Sequence, residues 1–119
     1  MNNPNLSEEI TRLHADICSA LADPSRILLI YALTEGPSCV NDLAAEVGLS
    51  QPATSRHLKT LRERGLVRAV RQGPSMEYSL TDDRLIQALD LLRMVLRDGI
   101  AYRASLVEND LAATEPVNG

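Results

Sequence analysis

The sequence predicts a mostly α-helical fold with one small β-hairpin. Apolar residues recur at helical spacing over most of the 119 residues, and with Phe and Trp absent the core must consist of Leu, Ile, Val and Ala. After Gly65 the pattern alternates, as in strands. The length and the 45% apolar content suit one globular domain, which we predict over residues 6–111. A flexible N-terminus at residues 1–5 and a disordered tail at residues 112–119 complete the predicted organisation.

The first two predicted helices meet at Asp23-Pro24. Two acidic residues mark the first turn of a helix that starts near Leu6. Asp23 is a suitable N-cap and Pro24 a suitable first residue for the second helix. The run Ile27–Leu33 is apolar on nearly all sides, so we predict that the second helix is the most buried.

A third helix is predicted over Val40–Val47, and only Gly48, Leu49 and Ser50 separate it from a fourth. Ser50 is the N-cap of this fourth helix, and Gly65 is its left-handed stop. Three of its residues share one stripe that faces the core: Thr54, Leu58 and Leu61. Two helices joined by so short a turn are typical of a helix-turn-helix.

The opposite face of the fourth helix carries small, hydrogen-bonding and basic residues. Such side chains suit base edges and phosphates in a DNA major groove. An ordinary surface helix would also have a polar outer face. The charge distribution favours the first interpretation, because residues 51–78 carry a net +4 on a chain whose net charge is −4.

A basic hairpin follows the fourth helix. Leu66–Arg71 and Met76–Leu80 are the predicted strands, and Gln72–Ser75 is the bend between them. Arg68 and Arg71 lie on this hairpin.

A long last helix is predicted to begin with Thr81 or Asp82 as its cap. Positions in steps of four and three along this helix form a stripe long enough for a partner helix: Leu85, Leu89, Leu92, Leu96, Gly99, Arg103 and Leu106. The alternative is that this stripe packs only within its own chain.

The predicted order of two helices, a helix-turn-helix, a two-stranded wing and a long helix is that of a winged helix-turn-helix (ααααββα). Five segments closely resemble the ArsR/SmtB family of bacterial repressors: Ala22–Arg26, Val40–Ala44, Leu49–Lys59, Gly65–Val67 and Tyr78–Leu80. The resemblance implies a homodimer formed by the first and last helices, with two recognition helices on a palindromic operator in double-stranded DNA. It also implies that an inducer relieves the repression.

The resemblance assigns DNA contacts to the fourth helix and the wing. Base reading falls on Gln51, Ala53, Ser55, Arg56 and His57. Phosphate contacts fall on Lys59, Arg68 and Arg71. His57 borders the core, so a structural hydrogen bond is an equal alternative for it. We interpret Arg26 as an internal salt-bridge partner, and Pro74-Ser75 departs from the basic wing tip that the family often has.

Metal-sensing members of the family use a cysteine pair in the third helix or a carboxylate and histidine set in the last. The segment Cys39–Leu43 has only the first cysteine of that pair. The last-helix set falls on Asp82, Arg84, Val95 and Asp98, and Arg and Val cannot bind zinc. We therefore predict no zinc site there and no obligatory cofactor.

The soft ligands that remain are Cys39, Cys18 and His14, which suit a thiophilic ion such as arsenite, mercury, cadmium or copper(I) as the inducer. The alternative is a redox or persulfide switch at Cys39, with or without a disulfide to Cys18. Cys18 stands where the family usually places a large apolar residue, so core packing is the competing interpretation. Cys39 is the better candidate sensor, because the dipole at a helix N-terminus favours an anion.

The sequence thus predicts a dimeric, DNA-binding repressor. Because no secretory signal or membrane-spanning run is visible, we expect it in the cytoplasm. The alternative is a winged-helix protein-interaction module without direct DNA readout. An enzyme is not predicted, because the sequence has no phosphate loop, nucleophile elbow or acid/base pair to support a cysteine nucleophile.

Overall fold

The computed structural model describes the backbone of residues 4–114 and the side chains of residues 5–110. The elements are α1 (Pro4–Glu9), a π-helical segment (Ile10–His14), α2 (Ala15–Ala20), α3 (Pro24–Ala32), a 3-10 turn (Leu33–Glu35), β1 (Ser38–Cys39), α4 (Val40–Val47), α5 (Gln51–Glu63), β2 (Val67–Gln72), β3 (Ser75–Leu80) and α6 (Arg84–Thr114). The predicted mostly helical class is confirmed.

The two predicted ends only partly fall within the described residues. Pro4 and Asn5, from the predicted flexible N-terminus, belong to α1, and residues 112–114, from the predicted tail, belong to α6. Residues 1–3 and 115–119 lie outside the described residues.

The chain divides into two compact units, Met1–Asp83 and Arg84–Gly119, and the boundary between them falls inside residues 6–111, the region predicted as one domain. No single helix among residues 4–114 is long and apolar enough to cross a membrane. One bent pair, Asn5–Ala20 with Pro24–Glu35 at 84°, passes the same test of length and composition.

The core of the first unit lies between α3, α4, α5 and the sheet. Its largest fully buried side chains are Leu29, Ile30, Leu43, Thr54, Leu58, Leu61 and Val67. Full burial of a leucine contributes about 1.5–3 kcal/mol, so these residues dominate the stability of the unit. Helix α3 is buried at Leu29, Ile30 and Ala32, but Leu28 is exposed, so the predicted burial of this helix holds on one side only.

The sheet has three antiparallel strands in the order β1-β3-β2. The predicted hairpin is present, and Gly73 at its tip has φ 61, as a tight hairpin turn requires. The third strand, β1, pairs Ser38 with Tyr78 and Cys39 with Glu77. The predicted capping role of Thr81 is wrong, because its hydroxyl donates to the Gly65 carbonyl at 2.7 Å and α6 begins at Arg84.

Candidate nucleic-acid interface

Helix α5 begins as its sequence predicts. Ser50 has an extended backbone, and its side-chain oxygen accepts a hydrogen bond from the Ala53 N–H at 3.2 Å. The Thr54 hydroxyl donates to the Ser50 carbonyl at 2.8 Å, which satisfies a fully buried polar group. The predicted core stripe is confirmed, because Thr54, Leu58 and Leu61 are all fully buried.

Helix α5 ends in a Schellman motif. Gly65 has φ 76, and its N–H donates to the Arg62 carbonyl at 3.0 Å, while the Leu66 N–H donates to the Leu61 carbonyl at 2.9 Å. Strand β2 starts at Val67. The wing therefore leaves the helix through a short, hydrogen-bonded connection that fixes its starting direction.

The outer face of α5 is polar and positively charged. Gln51, Ser55, Arg56 and Lys59 are exposed, and Ala53 is half-buried. Within residues 5–110 the side chains of Arg56 and Lys59 have no ion-pair partner. The structure thus exposes Gln51, Ser55, Arg56 and Lys59 along one side of the helix, with the half-buried Ala53 at the margin of that side.

His57 is half-buried, and its environment differs from that of the outer face. Its Nδ1 atom lies 3.5 Å from Nη1 of Arg26. Arg26 also approaches Asp23, with 3.8 Å between Nη1 and Oδ2, and its side chain is only 18% exposed. Arg26 is therefore the internal salt-bridge partner that the sequence predicted, and His57 faces it.

Asp23 performs its predicted capping role. Its Oδ1 atom accepts from the Ser25 N–H at 2.8 Å. This hydrogen bond, helped by the positive charges of His57 and Arg26, holds the pKa of Asp23 below its ordinary value of 3.8 against the opposing effect of desolvation.

The two wing arginines lie on opposite faces of the hairpin, because three positions separate them and side chains alternate along a strand. Arg71 pairs with Met76, and its face is the one that approaches the N-terminus of α5. Arg68 lies on the other face, and its Nη2 atom donates to the Thr81 carbonyl at 3.4 Å. Arg71, and not Arg68, therefore lies on the hairpin face that approaches the start of α5.

Arg64 is engaged elsewhere in the fold. Its guanidinium donates a hydrogen bond to the Asp16 carboxylate on α2. Sequence reasoning missed this pair and counted Arg64 as part of the basic patch. The available signal was its i, i+7 spacing from His57, which places both residues on one stripe next to the core.

Cys39 lines a surface cavity of about 300 Å³ between the wing tip and the start of α5. The lining residues are Cys39, Val40, Asn41, Gln51, Pro74, Ser75, Met76 and Tyr78. Cys39 is a half-buried free cysteine, and it occupies the N-cap position of α4 without a side-chain capping hydrogen bond. The cavity thus places one thiol beside Gln51, a predicted base-reading residue.

The other predicted sensor residues lie apart from the core. Cys18 is a free and exposed cysteine of α2, so the interpretation that it packs in the core of its own chain is wrong. His14 is exposed, with its Nε2 atom 4.0 Å from Oε1 of Glu9. Among the described residues, no group of three or more His, Cys, Asp or Glu side chains could hold a metal ion. Cys39, Cys18 and His14 therefore do not form the predicted metal site within one chain.

The helix-turn-helix of α4 and α5, followed by the β2–β3 wing, defines a winged helix-turn-helix domain. A family model of bacterial regulatory proteins, the arsR family, matches residues 23–69. The HTH-type transcriptional regulator Rv0081 from Mycobacterium tuberculosis is 33% identical over 104 residues, which are 87% of this chain and 91% of that protein. The chain belongs to the ArsR family, as its motifs predict.

Similarity to NmtR and to the crystal structure of Rv0081 supports this assignment. The regulator NmtR from Mycobacterium tuberculosis is 45% identical over 76 residues, 64% of this chain, and the match spans 63% of NmtR, less than two thirds of its length. The crystal structure of Rv0081 has a TM-score of 0.72 at 32% identity, with 80% of this chain and 96% of that chain covered. These proteins are regulators and not enzymes.

The fold is also shared with the homodimeric winged helix-turn-helix DNA-binding domain of Mb0332 from Mycobacterium bovis. The solution structure of that domain has a TM-score of 0.72 at 22% identity and covers 85% of this chain and 94% of its own. At this identity the likeness establishes the fold alone.

Proposed function

We propose that this protein is a homodimeric transcriptional repressor that acts in the bacterial cytoplasm and places α5 in the major groove of a palindromic operator. One observation carries the proposal: α5 is held by a buried stripe, while its accessible face presents small hydrogen-bonding residues and cations that have no ion-pair partner within residues 5–110. Gln51, Ala53, Ser55 and Arg56 read base edges. Lys59 and Arg71 bind phosphates.

Two of the predicted DNA-contact residues, His57 and Arg68, have smaller roles in the proposed DNA binding. His57 faces Arg26 at 3.5 Å, which favours its structural alternative. Arg68 lies on the far face of the wing and donates to a backbone carbonyl. This proposal therefore assigns neither residue a direct contact with DNA.

The homodimer is proposed from α6 considered by itself. Its exposed large apolar residues are Leu91, Leu92, Met94, Val95, Leu96, Ile100, Tyr102, Leu106 and Val107. At 100° per residue all except Met94 lie within about half of the helix circumference. A contiguous apolar surface of this size typically marks an interface. A two-fold dimer through such helices would present two copies of α5 to two half-sites.

The wing offers a matched test of DNA binding. We expect Arg71→Gln to weaken binding to a duplex from upstream of the gene by about tenfold and to reduce the salt slope by about 1. Arg68→Gln removes the same charge from the same strand and should change affinity by less than about twofold. Fluorescence anisotropy with labelled duplex measures both variants. Equal losses in the two variants would contradict the proposed orientation of the wing.

The same assay separates the repressor from the alternative protein-interaction module. A module without DNA readout would bind the upstream duplex no better than an unrelated duplex of equal length. The exposed cations Arg56 and Lys59, which have no ion-pair partner within residues 5–110, favour the repressor, because their positive charge suits the phosphates of DNA.

The proposed inducer is a soft, thiol-directed agent that acts at Cys39. The cavity supports this assignment, because an ion or adduct on Cys39 would lie beside Gln51 and Ser75 and would occupy space that DNA needs. Both a thiophilic metal or metalloid ion and an oxidising or persulfide signal fit a single half-buried thiol. A metal site would need ligands beyond those that one chain brings together.

To identify the inducer, arsenite, cadmium, copper(I), peroxide and polysulfide are each tested for their ability to release operator DNA from the protein. Cys39→Ser should abolish release by the active agent and leave basal DNA affinity unchanged. Cys18→Ser is the matched control and separates a single-thiol switch from a disulfide between the two cysteines. Unchanged release by every agent in Cys39→Ser would remove Cys39 from the mechanism.

A further inference from the structure

Polar side chains link helix α5 and its C-cap residue, Arg64, to helix α2. His57 of α5 and Arg64 are seven residues apart and therefore lie on one side of the helix. Arg64 donates to the Asp16 carboxylate, which is 48 residues away in the sequence. At 100° per residue, Arg56 lies about 100° and Lys59 about 160° around the helix from His57. His57 and Arg64 therefore point in a different direction from Arg56 and Lys59, the two α5 cations proposed to touch DNA.

Arg26 provides a second connection between the same two helices. Its Nε atom donates to the Ala20 carbonyl, and its Nη2 atom lies 3.5 Å from the Ser19 carbonyl. These carbonyls belong to the last residues of α2, where a helix leaves acceptors without partners. The same guanidinium lies 3.5 Å from Nδ1 of His57. One side chain therefore joins the end of α2 to the middle of α5.

The segment that carries these contacts also has exposed apolar residues. Leu6, Ile10 and Leu13, which precede Asp16 in the chain, are exposed large hydrophobic side chains. Exposed apolar residues grouped in one segment typically mark an interface, so we assign this first helical segment to the proposed dimer contact as well. Asp16 and the carbonyls of Ser19 and Ala20 then lie between the dimer contact and α5 along the chain.

We propose that Arg64 and Arg26 are positioning residues, through which helix α2 sets the angle at which α5 meets the operator. The proposal rests on the proposed DNA-binding function. The Arg64–Asp16 pair is partly exposed, with side-chain exposures of 38% and 47%. An ion pair this exposed adds little to the stability of a fold, so its removal reports on the position of α5 more than on folding.

The sign of the Asp16→Asn effect separates positioning from simple electrostatics. Removing a negative charge near a basic helix should tighten DNA binding if charge alone matters. Loss of the contact with Arg64 should instead weaken binding to the upstream duplex by about fivefold and leave the affinity for unrelated DNA unchanged. Glu63→Gln is the matched control, because it removes an acidic residue of α5 that has no ion-pair partner within residues 5–110.

A charge swap provides the rescue. The double variant Asp16→Arg with Arg64→Asp keeps the net charge of the chain and restores an ion pair, so it should recover most of the preference for the upstream duplex over unrelated DNA. Each single substitution should lower that preference. Melting temperature and far-ultraviolet circular dichroism confirm that every variant is folded.

The role of Arg26 is tested with the variant Arg26→Lys. Lysine keeps the positive charge but lacks the planar guanidinium that links the carbonyls of α2 to His57. We expect a changed ¹⁵N chemical shift at Nδ1 of His57 and a loss of preference comparable to that of Asp16→Asn. A folded Arg26→Lys variant with wild-type preference would remove Arg26 from the proposal.

The outcomes separate this proposal from the function on which it rests. A wild-type protein that does not prefer its upstream duplex overturns the proposed function, and the positioning proposal with it. A wild-type protein with that preference, together with a folded Asp16→Asn variant that keeps or increases it, overturns the positioning proposal alone.

Discussion

Helices α5 and α6 differ in where their apolar side chains lie: among the described residues, α5 buries its apolar stripe within its own chain, whereas most large apolar side chains of α6 are exposed. Thr54, Leu58 and Leu61 of α5 are fully buried. On α6, Leu91 is 63% exposed and Val95 is 66% exposed. Exposed apolar residues are normal when they are scattered, but a contiguous set on one helix requires an explanation.

The difference assigns separate tasks to the two helices. Helix α5 has its apolar stripe in the core and its cations in solvent, so its accessible chemistry suits an anionic partner. Helix α6 has accessible chemistry that suits another apolar surface. In the proposed homodimer, a second copy of the chain would provide that surface.

The largest expected effect concerns the buried apolar stripe of α5. Leu58→Ala leaves a cavity in a fully buried site and should lower the free energy of unfolding by about 2–5 kcal/mol. Leu28→Ala makes the same change at an exposed leucine of α3 and should cost less than about 1 kcal/mol. Urea denaturation of both variants measures the difference, and similar losses would show that α5 is not anchored as described.

The next largest effect concerns the exposed apolar surface of α6. Val95→Glu would bury two uncompensated carboxylates in a two-fold dimer, so we expect the dissociation constant of the dimer to rise by at least about 100-fold. Ala101→Glu introduces the same group on the polar side of α6 and should leave the dimer intact. Sedimentation equilibrium compares the two. A dimer that survives Val95→Glu would exclude this surface as the interface.

Replacing a glycine by alanine should have a smaller effect on stability, with opposite signs at Gly65, after α5, and at Gly99, within α6. An added Cβ meets nothing within 4 Å at either Gly65 or Gly99, but only Gly65 has a positive φ. Gly65→Ala should therefore destabilise the protein by about 1–2 kcal/mol through backbone strain. Gly99→Ala should stabilise α6 by up to about 1 kcal/mol through helix propensity. Thermal unfolding in the Val95→Glu background, which removes the partner, measures both changes, and a shared sign would contradict the account.

The smallest effect concerns acid stability at Asp23. Its pKa in the folded state is below the ordinary value, mainly because of the Ser25 N–H hydrogen bond, so the carboxylate contributes stability above that ordinary value. This contribution is lost as the pH falls through the pKa of the folded state. Asp23→Asn should therefore be less stable than wild type near pH 7, by an amount that shrinks below about pH 4. A difference that does not depend on pH would contradict this linkage.

The sequence predicts well what adjacent residues determine. The limits of α4 and α5 follow from Gly48, Ser50 and Gly65, because each residue sets its own backbone conformation. Strand β1 escaped prediction because two residues are too few to show alternation. The Arg64–Asp16 pair escaped because it joins residues 48 apart in the chain.

The candidate interface likewise combines features that the local sequence predicts with features that depend on the folded chain. Periodicity correctly placed Arg56 and Lys59 opposite the core stripe. It did not separate Arg68 from Arg71 until the register of the hairpin showed which face approaches α5. The exposure of Cys18 likewise depends on how α2 lies in the fold, and the family pattern gave the opposite expectation.

The central claim is that α5 and the wing bind operator DNA, and its most direct test is the salt dependence of that binding. Wild-type protein is titrated onto its upstream duplex and onto an unrelated duplex between about 50 and about 200 mM salt. We predict a steep negative slope of log affinity against log salt for both duplexes, and a clear preference for the upstream duplex at every salt concentration. A flat slope with no preference would contradict the account.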